Sequence, residues 1–141
     1  MLQISEMHFS EEASRYLSQM KGRTGLTPNI LARIGFCLSL EDPTPPNPAD
    51  YEGTGHISIK RHVLTGYYDP LFEAMLKERC FSEPLTQENG ASNGSGPDLP
   101  TMFRAHMNRG VILLNKRLKS LDNLLLVLPP EARQTPEIFY E

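Results

Sequence analysis

The chain has 141 residues, of which 39% are apolar and none is tryptophan, and its formal net charge is −3. That length gives one domain with a modest core, and a pI of about 5.8 excludes a protein whose whole surface is a polycation for nucleic acid. No basic-then-apolar leader and no apolar run of roughly 18 residues occurs, so a soluble cytoplasmic protein without a membrane partner is expected. Cys37 and Cys80 are the only cysteines and have neither metal nor redox spacing, which predicts two buried thiols in a reducing compartment.

Leu2 to Phe9 alternate weakly and predict a short strand or extended arm. Ser10 can cap a helix whose first turn carries Glu11 and Glu12, with Ala13, Tyr16, Leu17 and Met20 on its apolar stripe and an end at Gly22. Arg15 lies opposite that stripe, in solvent.

The stretch from Lys21 to Leu40 is a turn that launches a second helix. Thr27 is an N-cap candidate and Pro28 suits the first helical position, where a missing N–H costs nothing. Two readings fit. One is a glycine-ended helix followed by a buried one. The other is a phosphate seat, because Lys21 and Arg23 stand beside a helix start with unpaired donors. From Pro28 to about Glu41, Ile30, Leu31, Ile34, Cys37 and Leu38 form one apolar face and Phe36 and Leu40 lie off it. Such a helix is central or shared with another subunit. Arg33 borders the apolar face, where its head must pair, either with an internal acid or at an oligomer or DNA contact.

Four prolines within six positions between Asp42 and Gly55 deny that loop regular structure. Ile57 and Ile59 predict a second short strand, followed by the basic cluster Lys60, Arg61 and His62. Asp69-Pro70 opens a third helix with Leu71, Phe72, Met75 and Leu76 inside, ending near Cys80. Ser82 to Asp98 has linker composition around its Asn-Gly-Ser core, and it lacks the lysine and spacing of a nucleotide-binding loop. The longest helix runs from about Pro100 to Leu121, with Phe103, Met107, Gly110, Val111, Leu114, Leu118 and Leu121 on one stripe. Arg104, Arg109, Lys116, Arg117 and Lys119 take the rest of its circumference, and no acid lies between Leu99 and Leu121. Such a patch is either a solvated face paired with neighbouring acids or an anion-binding surface. Leu124 to Leu128 is a brief apolar run, and the tail beyond it is acidic.

The histidines His8, His56, His62 and His106 are scattered, no serine sits in a nucleophile elbow and no carboxylate pair stands out by spacing, so neither metal, cofactor nor catalytic centre is expected. What survives is anion binding, with phosphate as its most general target. The fold class is mainly α: a compact bundle of about four helices with one or two short strands, its strand-helix-helix start being also that of ribbon-helix-helix regulators.

The run Lys21-Gly22-Arg23-Thr24-Gly25-Leu26-Thr27-Pro28-Asn29-Ile30-Leu31-Ala32-Arg33 closely resembles the signature region of the DNA sulfur modification family DndE. Gly55-His56-Ile57-Ser58-Ile59, Leu64-Thr65-Gly66 and His106-Met107-Asn108-Arg109-Gly110 resemble later blocks of the same family. The resemblance implies a small, mainly helical, non-enzymatic accessory of bacterial phosphorothioation, in which sulfur replaces a non-bridging phosphate oxygen. It implies affinity for duplex DNA, nicked duplex in particular, partnership with sulfur-transfer and ATPase subunits, and homo-oligomers. On that basis 1–128 is one domain with flexible insertions at about 42–55 and 82–98, and 129–141 is an acidic tail. DNA contacts are assigned to Lys21, Arg23, Thr24 and Thr27 of the turn, and then to Lys60, Arg61, Arg109, Lys116 and Lys119. Arg33, Ile34 and Phe36 are assigned to an interface or to structure. The competing reading is a protein-interaction scaffold that bridges the other subunits without touching DNA.

Overall fold

The computed structural model describes residues 2–82, 98–127 and 130. Ser10 starts α1 (Glu11–Thr24) as its position predicts: its hydroxyl accepts from the Ala13 amide at 3.1 Å. Gly22 sits within the helix. The stop comes at Gly25, whose φ of 77° is the left-handed conformation that closes a helix with its amide bonded to Lys21 O. α2 (Pro28–Glu41) has the predicted bounds.

β1 (Glu6–His8) pairs antiparallel with β2 (Ser58–Lys60), Met7 opposite Ile59. The strand that opens the chain is thus satisfied within the same chain. β2 runs into the single turn α3 (Arg61–Leu64), a 3-10 turn at Gly66–Tyr68, and α4 (Asp69–Ser82). α5 (Leu99–Arg117) is the longest helix, and a further 3-10 segment covers Leu121–Val127. The expected linker is outside the described residues apart from its ends, and so is the acidic tail apart from Pro130.

α5 is central rather than laid on one side of the core. Met102, Phe103 and every residue from Ala105 to Val111 are buried, so both sides of the predicted stripe are covered. α2 is its principal neighbour. The buried face of α2 is Leu31, Ala32, Gly35, Phe36, Leu38 and Ser39, which differs from the face the large residues predicted. Ile30 and Ile34 are half-buried and Cys37 is exposed, whereas Cys80 is buried. Phe36, expected off the apolar face, is completely buried and meets Phe72 at 5.3 Å and Phe103 at 5.4 Å between ring centroids. The reason is backbone proximity. Gly35 of α2 and Gly110 of α5 cross with their main chains touching, and that draws the small-residue face inward.

Leu71 and Leu121, expected inside, are exposed instead. The loop of prolines has one 3-10 turn at Pro48–Asp50 and is fastened to α5, whose Arg104 Nε donates to Tyr51 O at 3.0 Å. No helix among the described residues is long and apolar enough to cross a membrane.

Candidate nucleic-acid interface

Helix carbonyls at a C-terminus lack intrahelical partners, and this chain supplies many of them from arginines. Arg33 on α2 donates from Nε to Leu64 O at 2.6 Å and from Nη2 to Val63 O at 3.1 Å, closing α3. Its partners are carbonyls, not the internal acid considered from sequence, and Ile34 beside it is half-buried against the core. Both side chains are engaged within this chain, as is that of Phe36. Arg79 on α4 does the same for α2, donating to Leu40 O and Asp42 O.

Arg109 is only 9% exposed. Its Nε donates to Ser39 Oγ at 2.9 Å and its Nη2 to Ser39 O at 2.7 Å, while Nη1 donates to Thr44 O and lies 3.7 Å from Asp42. Ser39 Oγ is also 2.8 Å from His106 Nδ1. Burial lowers the His106 pKa to about 4, with Arg109 and Arg79 adding to the shift, so the ring is neutral at physiological pH. Ser39 and His106 are fully buried, so this serine–histidine pair offers no surface to a substrate.

Arg61 is equally committed. Nε and Nη2 grip both carboxylate oxygens of Asp69 at 2.8 and 2.9 Å, Nη1 donates to Leu2 O, and Glu73 lies 3.7 Å away. The Arg61 bond, helped by Thr65, holds the Asp69 carboxyl below its usual pKa. Thr24 is buried and its hydroxyl bonds Met20 O at 2.7 Å. Three of the residues assigned to DNA from sequence, Thr24, Arg61 and Arg109, therefore have their polar groups turned inward.

Lys21, Arg23, Lys60, Lys116 and Lys119 are exposed. The Gly35–Gly110 crossing, with Ser39 against His106, makes α2 and α5 antiparallel, so the turn before α2 lies at the end where α5 finishes. Arg23 Nη2 reaches across to Asn115 Oδ1 at 2.9 Å and to Leu118 O at 3.2 Å. Lys119 Nζ donates to Asn115 O at 3.2 Å. One asparagine thus holds two exposed cations from opposite ends of the sequence, with Lys116 next to it in the chain. Arg117 in the same turn lies 4.0 Å from Glu41. Thr27 sits at the N-cap position but its hydroxyl bonds Asn29 Oδ1, not a first-turn amide. Lys60 stands apart, on β2 opposite Glu6.

The other end of α1 has the opposite sign. A shallow recess there is lined by Glu11, Glu12, Asp50 and Glu52, together with Arg15. Among the described residues no group of three histidine, cysteine or acidic side chains is placed to hold a metal. The Cys37 thiol is pushed above its usual pKa by desolvation and by Glu41, which makes it a poor nucleophile.

The position of the basic turn was legible because glycine and proline mark it. Asn115 was not, since an asparagine on a helix face carries no signal until both of its cationic partners are in place.

No curated protein matches the chain. Its fold matches a crystal structure of DndE from Escherichia coli B7A involved in DNA phosphorothioation modification, at 25% identity and a TM-score of 0.59, covering 81% of this chain and 98% of that one. A mutant DndE, with glycines replaced by lysine, matches in fold at 22% identity and a TM-score of 0.58, over 81% of this chain and 99% of the other. The family model for DNA sulphur modification protein DndE matches residues 6–122, and the chain therefore belongs to the DndE family of DNA phosphorothioation systems.

Proposed function

We propose that the chain is a non-enzymatic DNA-binding accessory of the phosphorothioation machinery, which holds backbone phosphates of duplex DNA, nicked duplex included, at the basic end of the bundle. The observation that carries this reading is the convergence of Arg23 and Lys119 on Asn115. Two anchored cations, with Lys21 and Lys116 in the adjoining turns, concentrate positive charge where backbone phosphates can be held. Arg23 spends one guanidinium nitrogen on the fold and keeps others for an anion. The acidic recess at the far end of α1 repels DNA and orients the chain on it. Thr27 and Lys60 are secondary contacts, and Thr24, Arg61 and Arg109 act behind the surface.

In this reading the chain works in the cytoplasm with the sulfur-transfer and ATPase subunits, and self-association presents several basic ends to one duplex. The scaffold reading is favoured by a separate observation: among the described residues Phe81 is 79% and Leu125 67% exposed, and both are large apolar groups.

The test is the salt dependence of duplex binding by wild type and by Arg23→Ala with Lys119→Ala. Loss of two phosphate contacts makes the slope of log K against log salt shallower by about two. An unchanged slope removes this end from DNA binding, and negligible duplex affinity of wild type at low salt, with stable capture of the other subunits, selects the scaffold.

A further inference from the structure

α5 ends at Arg117 with Leu118, not glycine, at its C-cap, and the chain turns there around one side chain. Asn123 Oδ1 accepts from the Lys119 amide at 3.2 Å and the Ser120 amide at 3.1 Å, and its Nδ2 donates to Arg117 O at 3.0 Å. A single asparagine thus braces the turn from 117 to 123. Leu118 is completely buried, its amide bonds Leu114 O at 2.7 Å, and its carbonyl accepts from Arg23 at 3.2 Å. The turn is anchored both to the core and to α1.

What it presents is a leucine. Leu121 is 51% exposed, and the side chains around it are cations: Lys119 in the same turn, Lys116 and Arg117 in the last turn of α5, and Lys21 and Arg23 at the end of α1. The described acids beside them are Asp122 and, 4.0 Å from Arg117, Glu41, so positive charge prevails. A large apolar side chain left in water gains by transfer to an apolar surface, and a surface that also satisfies these cations must be a polyanion. Duplex DNA offers both, with phosphates outside and an apolar slot between base pairs wherever a step opens. Leucine is one of the side chains that wedge into base steps, and unstacking costs least where a step is already weakened.

We infer that Leu121 is a wedge that enters weakened base steps, while the cations of the basic end hold the phosphates on either side. This role presupposes the duplex-binding reading above. It adds to that reading a selection for poorly stacked steps, at a mismatch or at a nick, over continuous duplex.

The test uses the full chain and three duplexes of one sequence context: uninterrupted, with a central mismatch, and with a central nick, each carrying 2-aminopurine at the central step. Wild type should bind the mismatched and nicked duplexes about tenfold more tightly than the uninterrupted one, with brighter 2-aminopurine emission as the base unstacks. Leu121→Ser should bring the three affinities together and abolish the emission change, while affinity for uninterrupted duplex and its salt slope stay at wild-type values. Leu125→Ser removes a leucine that is 67% exposed but lies beyond the brace, and it should behave like wild type. Equal affinities in wild type, a preference retained in Leu121→Ser or lost equally in Leu125→Ser, or a preference for the nick without one for the mismatch overturns the wedge. A retained preference with lost capture of the other subunits makes the turn a protein contact. Arg23→Ala with Lys119→Ala should weaken all three duplexes and keep their ratio, so failure of the phosphate contacts does not mimic failure of the wedge. Absence of any duplex binding by wild type refutes the underlying reading, whereas binding without preference refutes the wedge alone.

Discussion

Gly35 and Gly110 pack main chain against main chain: a Cβ added at Gly35 would lie 2.7 Å from the Gly110 carbonyl carbon, and one added at Gly110 would come closer still to the Gly35 carbonyl. The two central helices are registered at this point. Ala32 and Ser39 flank Gly35 on the same face, so no side chain holds the backbones apart.

Replacing Gly110 by Ala should therefore destabilise the fold by about 3 kcal/mol despite alanine's better helix propensity, because the added methyl meets backbone and not a movable side chain. Gly22→Ala is the control. Nothing lies within 4 Å of its Cβ position inside α1, so it should stabilise by about 0.5–1 kcal/mol. Urea unfolding of both variants decides whether the crossing or helix propensity dominates.

Acid should weaken the protein first through His106. Its folded-state pKa of about 4 lies below the ordinary 6.5, so the unfolded chain binds a proton that the native chain refuses. The stability is complete above pH 6.5 and is lost as pH falls towards 4, by about 3 kcal/mol in all. Unfolding free energies at several pH values should show this slope between pH 6.5 and 4.5. His106→Gln should flatten it, and a variant with the wild-type slope would assign the acid sensitivity elsewhere.

Arg61 should act on stability and leave duplex binding alone. Arg61→Ala strands Asp69 and Glu73 beside each other and should cost about 2 kcal/mol, between the values for exposed and buried pairs. Both carboxyls are held below their usual pKa, Asp69 by its Arg61 bond and Glu73 by the Leu2 amide. Their stabilisation is full above the ordinary carboxylate range and fades as pH falls below it, which separates it from the His106 window. At a temperature where the variant is folded, its duplex salt slope should match wild type.

Asn115→Ala should lower duplex affinity severalfold while the salt slope changes by less than one, because Arg23 loses its side-chain acceptor and Lys119 keeps the main-chain oxygen of residue 115. A slope change as large as that of the double cation variant would mean that Asn115 contacts DNA itself.

The helix starts were legible in the sequence because they are local. Ser10 before two glutamates, Thr27-Pro28 and Asp69-Pro70 each mark a start within four residues, and all three helices begin there. The buried face of α2 was not legible. Periodicity weighs large residues, and Ile30, Ile34 and Cys37 outweigh Ala32, Gly35 and Ser39 until Gly110 is known to press against them. The cations divided for a similar reason: Arg109 and Lys119 look alike on a helix wheel, and Ser39, 70 positions away, together with Thr44 turns Arg109 inward. Exposure of Tyr67 was invisible for the opposite reason, since no described residue comes back to cover it.

The opening residues have a timing consequence. β1 has no partner until 58–60 have been made, and the Ser10 amide finds its acceptor, Asn108 Oδ1 at 2.8 Å, only 98 positions later. During synthesis the first ten residues must wait for most of the chain, and α1 can settle only when α5 leaves the ribosome. A nascent chain stalled before Asn108 should thus be open to proteolysis within residues 2–10, although that segment emerges before everything it packs against.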